Sequence, residues 1–224
     1  MCNLYDLDVP APFIQQRFGV RRMGYDDSAR AGTLIRPSVK APVVHLAADG
    51  EVRCSLMEWG FVREWNNDGG RPSLHRLFNV RSETIDIKPS FAAAYRKTRA
   101  IIPASGWWES PEKNVNVRIT RHGGGLIALA GLWEEAVHPR TGEPITAFTM
   151  AMTDHNPFTA TYHARMPVLL DARSVDAWLD PQYAGAKKLL KPYGANDLVA
   201  ARIEAPARAE SKQEPAPVVR DLFG

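Results

Sequence analysis

The residue with the clearest chemistry is Cys2, which follows only Met1. A cysteine at this position lets methionine aminopeptidase remove Met1, leaving an α-amine and a thiol on one carbon. A free α-amine titrates near ~7.7–8.0 and a thiol near ~8.5, so both are partly nucleophilic at neutral pH. The pair suits aldehydes: the amine condenses to a Schiff base, and the thiol closes on the same carbon to give a five-membered thiazolidine. The remaining candidates are groups that could serve such a nucleophile. Glu109 ends Ala100-Ile101-Ile102-Pro103-Ala104-Ser105-Gly106-Trp107-Trp108, and desolvation by the two tryptophans would raise its pKa into the range of a proton shuttle. Asn79, in Phe78-Asn79-Val80-Arg81-Ser82-Glu83-Thr84, could orient an amine or a sugar oxygen without changing charge. His163 and Arg165 precede an apolar stretch and could present imidazole and guanidinium to one anion.

Between 59 and 81 aromatic and cationic residues interleave: Trp59, Arg63, Trp65, Arg71, His75, Arg76 and Arg81. Aromatic faces stack on unpaired bases and guanidinium groups fork onto phosphates, which is what single-stranded nucleic acid requires. A loop over Asn66-Asn67-Asp68-Gly69-Gly70 divides the segment. His45 sits on an apolar strand and reads as structural.

The elements that must position these groups are mostly strands. Residues 42–48 and 51–62 flank Asp49-Gly50, a hairpin signal, and 100–109, 115–120, 126–133 and 144–152 read as further strands. Helices are expected where Phe13, Ile14 and Phe18 share a face, over Lys88 to Lys97 with Phe91, Ala94 and Tyr95 inward, and over 175–179 and 182–190 with Trp178 inward. The fold expected is α+β: one domain over 1–202, with a largely antiparallel, curved or barrel-like β core and peripheral helices. Residues 203–224 are Pro/Ala-rich and expected to be extended or disordered.

With 224 residues, 45% of them apolar, the chain can bury one substantial core, and its formal charge of +3 does not by itself mark a nucleic-acid binder. Two cysteines make no disulfide framework, and neither has metal-ligand spacing to a histidine. With no signal pattern and no long apolar run, a cytoplasmic protein that binds no metal or membrane is expected.

Taken together, Met1-Cys2, Trp59-Gly60 through Trp65, Asn79 through Thr84, Pro103 through Glu109, Ala130-Gly131-Leu132-Trp133-Glu134 and His163-Ala164-Arg165-Met166-Pro167 resemble, in order, the SOS-response-associated peptidase (SRAP) family of abasic-site processing proteins. The resemblance spans residues 2 to about 180. It implies that processed Cys2 forms a thiazolidine with the aldehyde of an abasic site in single-stranded DNA, assisted by Asn79, Glu109 and His163, without a cofactor. It also implies strand-cleaving lyase chemistry and removal of the family's own N-terminus, in a monomer that joins the nucleoid when DNA is damaged. The family's usual start is Met-Cys-Gly-Arg; here Asn3-Leu4 replace Gly-Arg and remove a cation. Two other readings are an N-terminal nucleophile amidohydrolase and a non-catalytic single-strand binder. A denaturation-resistant adduct with an abasic oligonucleotide separates the first reading from both.

Overall fold

A computed structural model describes residues 2–27, 33–66 and 70–203. The chain begins with β1 (Tyr5–Asp6), α1 (Ala11–Phe18), β2 (Arg22–Met23) and β3 (Leu34–Ile35). It continues through β4 (Lys40–Leu46), β5 (Val52–Trp59), β6 (Phe61–Asn66), β7 (Pro72–Leu77), β8 (Asn79–Arg81) and α2 (Pro89–Lys97). The long strands follow: β9 (Arg99–Ala104), β10 (Gly106–Glu112), β11 (Val115–Arg121), β12 (Ile127–Val137) and β13 (Pro144–Asp154). Then come β14 (Arg165–Pro167), β15 (Leu169–Leu170), α3 (Ser174–Leu179) and β16 (Leu198–Ile203).

Among the described residues one sheet runs β16-β11-β10-β1-β3, and a larger one runs β14-β13-β12-β9-β4-β5-β2 with β15 and β8 attached. Pairing is antiparallel except at β13–β5, β13–β8 and β2–β5. The core lies between the two sheets, where Tyr5 of one meets the edge of Trp59 of the other at 5.2 Å. The α+β, mainly antiparallel architecture is the one expected.

Two breaks divide stretches that read as single strands, and both matter to function. Residues 51–62 split at Gly60, whose φ of 125° is closed to ordinary side chains and whose Cβ would lie 2.8 Å from the Phe78 ring. The chain there leaves the large sheet and forms the separate β6–β7 hairpin. Residues 100–109 split at Ser105, whose N–H donates to the Asp6 carbonyl at 2.7 Å. Gly106 then passes so close to β11 that a Cβ would meet the Ile119 carbonyl at 2.9 Å. This step carries the chain from β9 in one sheet to β10 in the other, and Glu109 with it.

The helices over 11–18, 89–97 and 174–179 form where apolar spacing places them, and Trp178 is fully buried. Its carbonyl accepts from the buried Arg99 Nε at 2.6 Å, which docks α3 on β9. The helix expected over 182–190 is only a 3₁₀ turn, Ala186–Leu189. Gly185 within it and Pro192 just after it disfavour longer propagation. Strand β16 was not expected, and Ile203, assigned to the tail, ends it. The rest of that tail, 204–224, lies outside the described residues, as does 67–69 of the glycine-rich loop.

The β6–β7 hairpin is fastened by charge. Arg63 forks onto Glu134 of β12 at 2.6 and 2.7 Å and donates to the Ser90 carbonyl at 3.0 Å; Arg140 reaches Glu64 at 2.9 Å. Such a half-buried, bidentate pair is worth more than an exposed one. We expect Glu134→Ala to cost about 1–3 kcal/mol in urea denaturation, by stranding the guanidinium. Pairing it with Arg63→Met should recover part of that loss.

Candidate active site

Cys2 is fully buried. The N-terminal segment reaches it by lying antiparallel to β10: Tyr5 pairs with Trp107, and the Leu4 carbonyl accepts from the Trp108 N–H at 2.9 Å. The same carbonyl lies 3.5 Å from the Cys2 Sγ. Asn79, at the start of β8, donates its amide N–H to the Cys2 carbonyl at 2.8 Å. Its Oδ1 is buried without a partner. Glu109 is 5% exposed, and burial pushes its carboxyl up to about 7. Its Oε1 also lacks a partner. Burial first, and then the charge of Glu109, hold the Cys2 thiol well above the ordinary range. The thiol is thus kept neutral beside a carboxyl that gains and loses its proton near pH 7.

His163 is set by β13. Met152 of that strand lies opposite Arg81 of β8 on one edge and Pro167 of β14 on the other, so β8, which begins at Asn79, and the strand that follows His163 flank β13. The His163 Nδ1 is 2.9 Å from the Arg165 N–H and 3.1 Å from the Arg165 carbonyl. The first contact suits a bare Nδ1 and the second an Nδ1–H, so the ring keeps a backbone partner in either tautomer and when protonated. Burial lowers its pKa, which favours the neutral form.

The residues expected to meet DNA divide differently. Trp59 is fully buried, stacked on Phe148 and edge-on to Tyr5, with its indole N–H on the Phe78 carbonyl at 2.8 Å. It has no face for a base, and its place as a stacking residue is withdrawn. Arg63 is committed to Glu134 and Arg76 to Glu58. These two cations are structural clamps in this state, contrary to expectation. Arg165 is held by Glu83 at 2.6 Å and Asp154 at 3.4 Å. By contrast, Trp65 is 43% exposed and lies flat on His75 at 3.8 Å. Arg71 and Arg81 are exposed. His45 is buried and meets the Ser55 hydroxyl at 3.1 Å, a structural contact.

Sequence reading passed over Asp6. This buried carboxylate accepts from the Trp108 indole at 2.8 Å and from Arg118 at 2.9 and 2.6 Å, locking the N-terminal segment against β10 and β11. The available signal was an acid inside the apolar run Leu4-Tyr5-Asp6-Leu7. Leu4, where a cation was noted as missing, is buried to 9% exposure, so its side chain faces packing. Among the described residues no three His, Cys, Asp or Glu side chains gather to hold a metal ion. No described helix is long and apolar enough to cross a membrane.

Solved structures with this architecture include a protein from Bacteroides thetaiotaomicron, at 21% identity and TM-score 0.76, covering 91% of this chain and 93% of that one. Another, from Bordetella bronchiseptica, has 24% identity and TM-score 0.75, covering 90% and 99%. The abasic site processing protein YoqW of Bacillus subtilis is 30% identical over 223 residues, 96% of this chain and 97% of the relative. The abasic site processing protein HMCES of Xenopus tropicalis is 26% identical over 160 residues, 61% of this chain and 48% of the relative. The family model for the SOS response associated peptidase matches residues 1–206. This chain therefore belongs to the SOS response associated peptidase (SRAP) family.

Proposed function

We propose that this protein captures abasic sites in single-stranded DNA as a covalent thiazolidine on Cys2. The observation that carries the reading is the buried Cys2 thiol beside a Glu109 carboxyl poised near pH 7, with Asn79 holding the Cys2 carbonyl. The names of the relatives, abasic site processing proteins, support the class of substrate.

Hydrolysis of the Met1–Cys2 amide, by an aminopeptidase or by the site itself, frees the α-amine. The abasic sugar is mostly a closed hemiacetal, and Glu109 moves a proton at its ring oxygen to open it. The amine then adds to the aldehyde carbon and water leaves, giving an imine. Sulfur attacks the imine carbon, the C=N π pair moves to nitrogen, and the thiol proton passes to that nitrogen through Glu109. If closure is slow, the imine instead loses its α-proton and expels the 3′ phosphate, which is lyase chemistry from the same site. Asn79 positions the Cys2 backbone, and His163 with Arg81 meets the flanking phosphate. Trp65 offers its exposed ring to a base, with Arg71 in the same hairpin.

Three measurements test this. Incubation with an abasic oligonucleotide should give wild type a denaturation-resistant adduct and Cys2→Ala none. An imine on the remaining amine should still be trappable by borohydride, and an equal stable yield from Cys2→Ala would sink the mechanism.

Glu109→Gln should slow adduct formation by roughly 10²-fold or more. It should also stabilise the fold. Glu109 has a folded pKa raised from 4.5 to about 7, so its ionisation opposes folding. That penalty is absent below about pH 4.5, grows through the interval, and is complete above pH 7, where it is on the order of 3 kcal/mol. Melting of the two proteins at pH 4 and pH 8 checks it; equal stabilities at pH 8 would count against a desolvated carboxyl.

Arg81→Ala should weaken single-strand binding and flatten the slope of log affinity against log salt by about 0.7. Trp65→Ala should cost about 1–3 kcal/mol with little change in slope. Filter binding over a salt series, with a duplex competitor that binds poorly, distinguishes the two.

A further inference from the structure

Arg165 is held more firmly than the acids that cover it. Its backbone is fixed twice, by pairing with Asp154 of β13 and by the 2.9 Å contact of its N–H with the His163 Nδ1. Its guanidinium side chain is 21% exposed, whereas that of Glu83 is 45% and that of Asp154 70% exposed. A guanidinium has five N–H donors. Among the described residues this side chain makes one hydrogen bond, from Nη1 to the Glu83 Oε1 at 2.6 Å, and the Asp154 carboxylate stands off at 3.4 Å. Most of the fork is open to another acceptor.

The structural clamps are built the other way round. Asp6 under Arg118 and Glu134 under Arg63 are the less exposed partners, and each takes two hydrogen bonds from its arginine. A buried, forked pair fixes structure; a wet, singly bonded one contributes little and gives way readily. Position gives the exchange a purpose. Arg81 of β8 lies opposite Met152 and Arg165 of β14 opposite Asp154, so the Glu83–Arg165 bridge crosses the end of β13 between Arg81 and the segment that follows His163. Two carboxylates on one guanidinium make that spot formally negative, which opposes a strand.

We propose that Glu83 sets the strength of reversible strand binding: its carboxylate stands on Arg165 where a strand phosphodiester is to go, and the phosphodiester displaces it. The inference rests on the DNA reading given above and adds to it a residue that weakens the contact. Carboxylate and phosphodiester both present paired oxygens to a guanidinium fork, so the exchange needs no movement of Arg165. Glu83 has only to swing its half-exposed side chain into water. Its main chain can stay in place, because the Glu83 carbonyl accepts from the Lys187 Nζ at 3.2 Å. Asp154 adds repulsion without a bond of its own. The free protein thus meets an intact strand with Arg165 already occupied.

An intact single-stranded oligonucleotide, which engages no chemistry at Cys2, tests this by filter binding. Glu83→Gln should tighten binding by roughly two- to fivefold, as expected for loss of an exposed ion pair that competes with the strand. Arg165→Gln should weaken binding and flatten the slope of log affinity against log salt by about 0.7. In the Arg165→Gln background, Glu83→Gln should recover little, because no guanidinium is left to free. An equal gain in both backgrounds would overturn the proposal by assigning Glu83 to general repulsion, and so would Glu83→Gln binding no tighter than wild type. The melting temperature of Glu83→Gln should stay within about 4 °C of wild type. A larger fall would make the pair a structural clamp and also overturn the exchange. Failure of wild type to form a stable adduct with an abasic oligonucleotide would instead strike the reading of Cys2 and leave these binding results standing.

Discussion

The site depends on how the first residues of the chain are held in the core. Two β1–β10 pairs and the Leu4–Trp108 bond would be a weak attachment for a terminus, which ordinarily frays. Asp6 makes the difference. Its carboxylate is 5% exposed and would be expensive to bury alone, yet it accepts three hydrogen bonds from Trp108 and Arg118. Removing Arg118 would leave a buried charge uncompensated, so undocking the segment from β11 is costly. Cys2, four residues upstream of Asp6, inherits that rigidity. Asn79 then fixes its carbonyl from the other sheet.

Docking Cys2 in the core also sets its electrostatic condition, which on the reading proposed above is the condition under which it reacts. Desolvation raises the Cys2 thiol and the Glu109 carboxyl together, but from different starting points. The carboxyl arrives near neutrality and can exchange protons at physiological pH, while the thiol remains protonated until something removes its proton. A surface cysteine would ionise more easily and would also react with any passing electrophile. Burial therefore trades intrinsic reactivity for dependence on the neighbouring acid. The unpartnered atoms of Tyr5, Asn79, Trp107 and Glu109 are the stability given up for that arrangement.

Much of this was legible in sequence, for physical reasons that also explain what was not. Alternation and turn chemistry located the main strands, and Asp49-Gly50 indeed turns β4 into β5 with Gly50 at φ 81°. Glu109 stood out because two tryptophans precede it, and burial does raise it. The strand breaks at Gly60 and Ser105 were hidden because each is caused by a partner distant in sequence: the Phe78 ring and the Ile119 carbonyl crowd the two glycines, and Asp6 takes the Ser105 N–H. The same blindness governed the cations. Arg63 reads as a phosphate ligand until Glu134, 71 residues later, is seen to claim it. Trp59 reads as a stacking platform until its ring is found buried between the two sheets. Local sequence reports residue chemistry well and reports commitment of that chemistry poorly.

That commitment changes what kind of binder this chain can be. Arg63, Arg76 and Arg165 each face an acid, while Arg71, Arg81 and Trp65 of the expected DNA surface are exposed. If these groups meet a strand, so small a set of exposed cations and a formal charge of only +3 make reversible binding weak and dependent on salt. On the reading proposed above, reversible attraction need not do more. It has only to hold a strand long enough for an aldehyde to enter, because capture is completed by a covalent bond. An intact strand has no aldehyde and dissociates from a weak, salt-sensitive surface, so selectivity for damage comes from the reaction at Cys2 and the weakness of the surrounding contacts protects it.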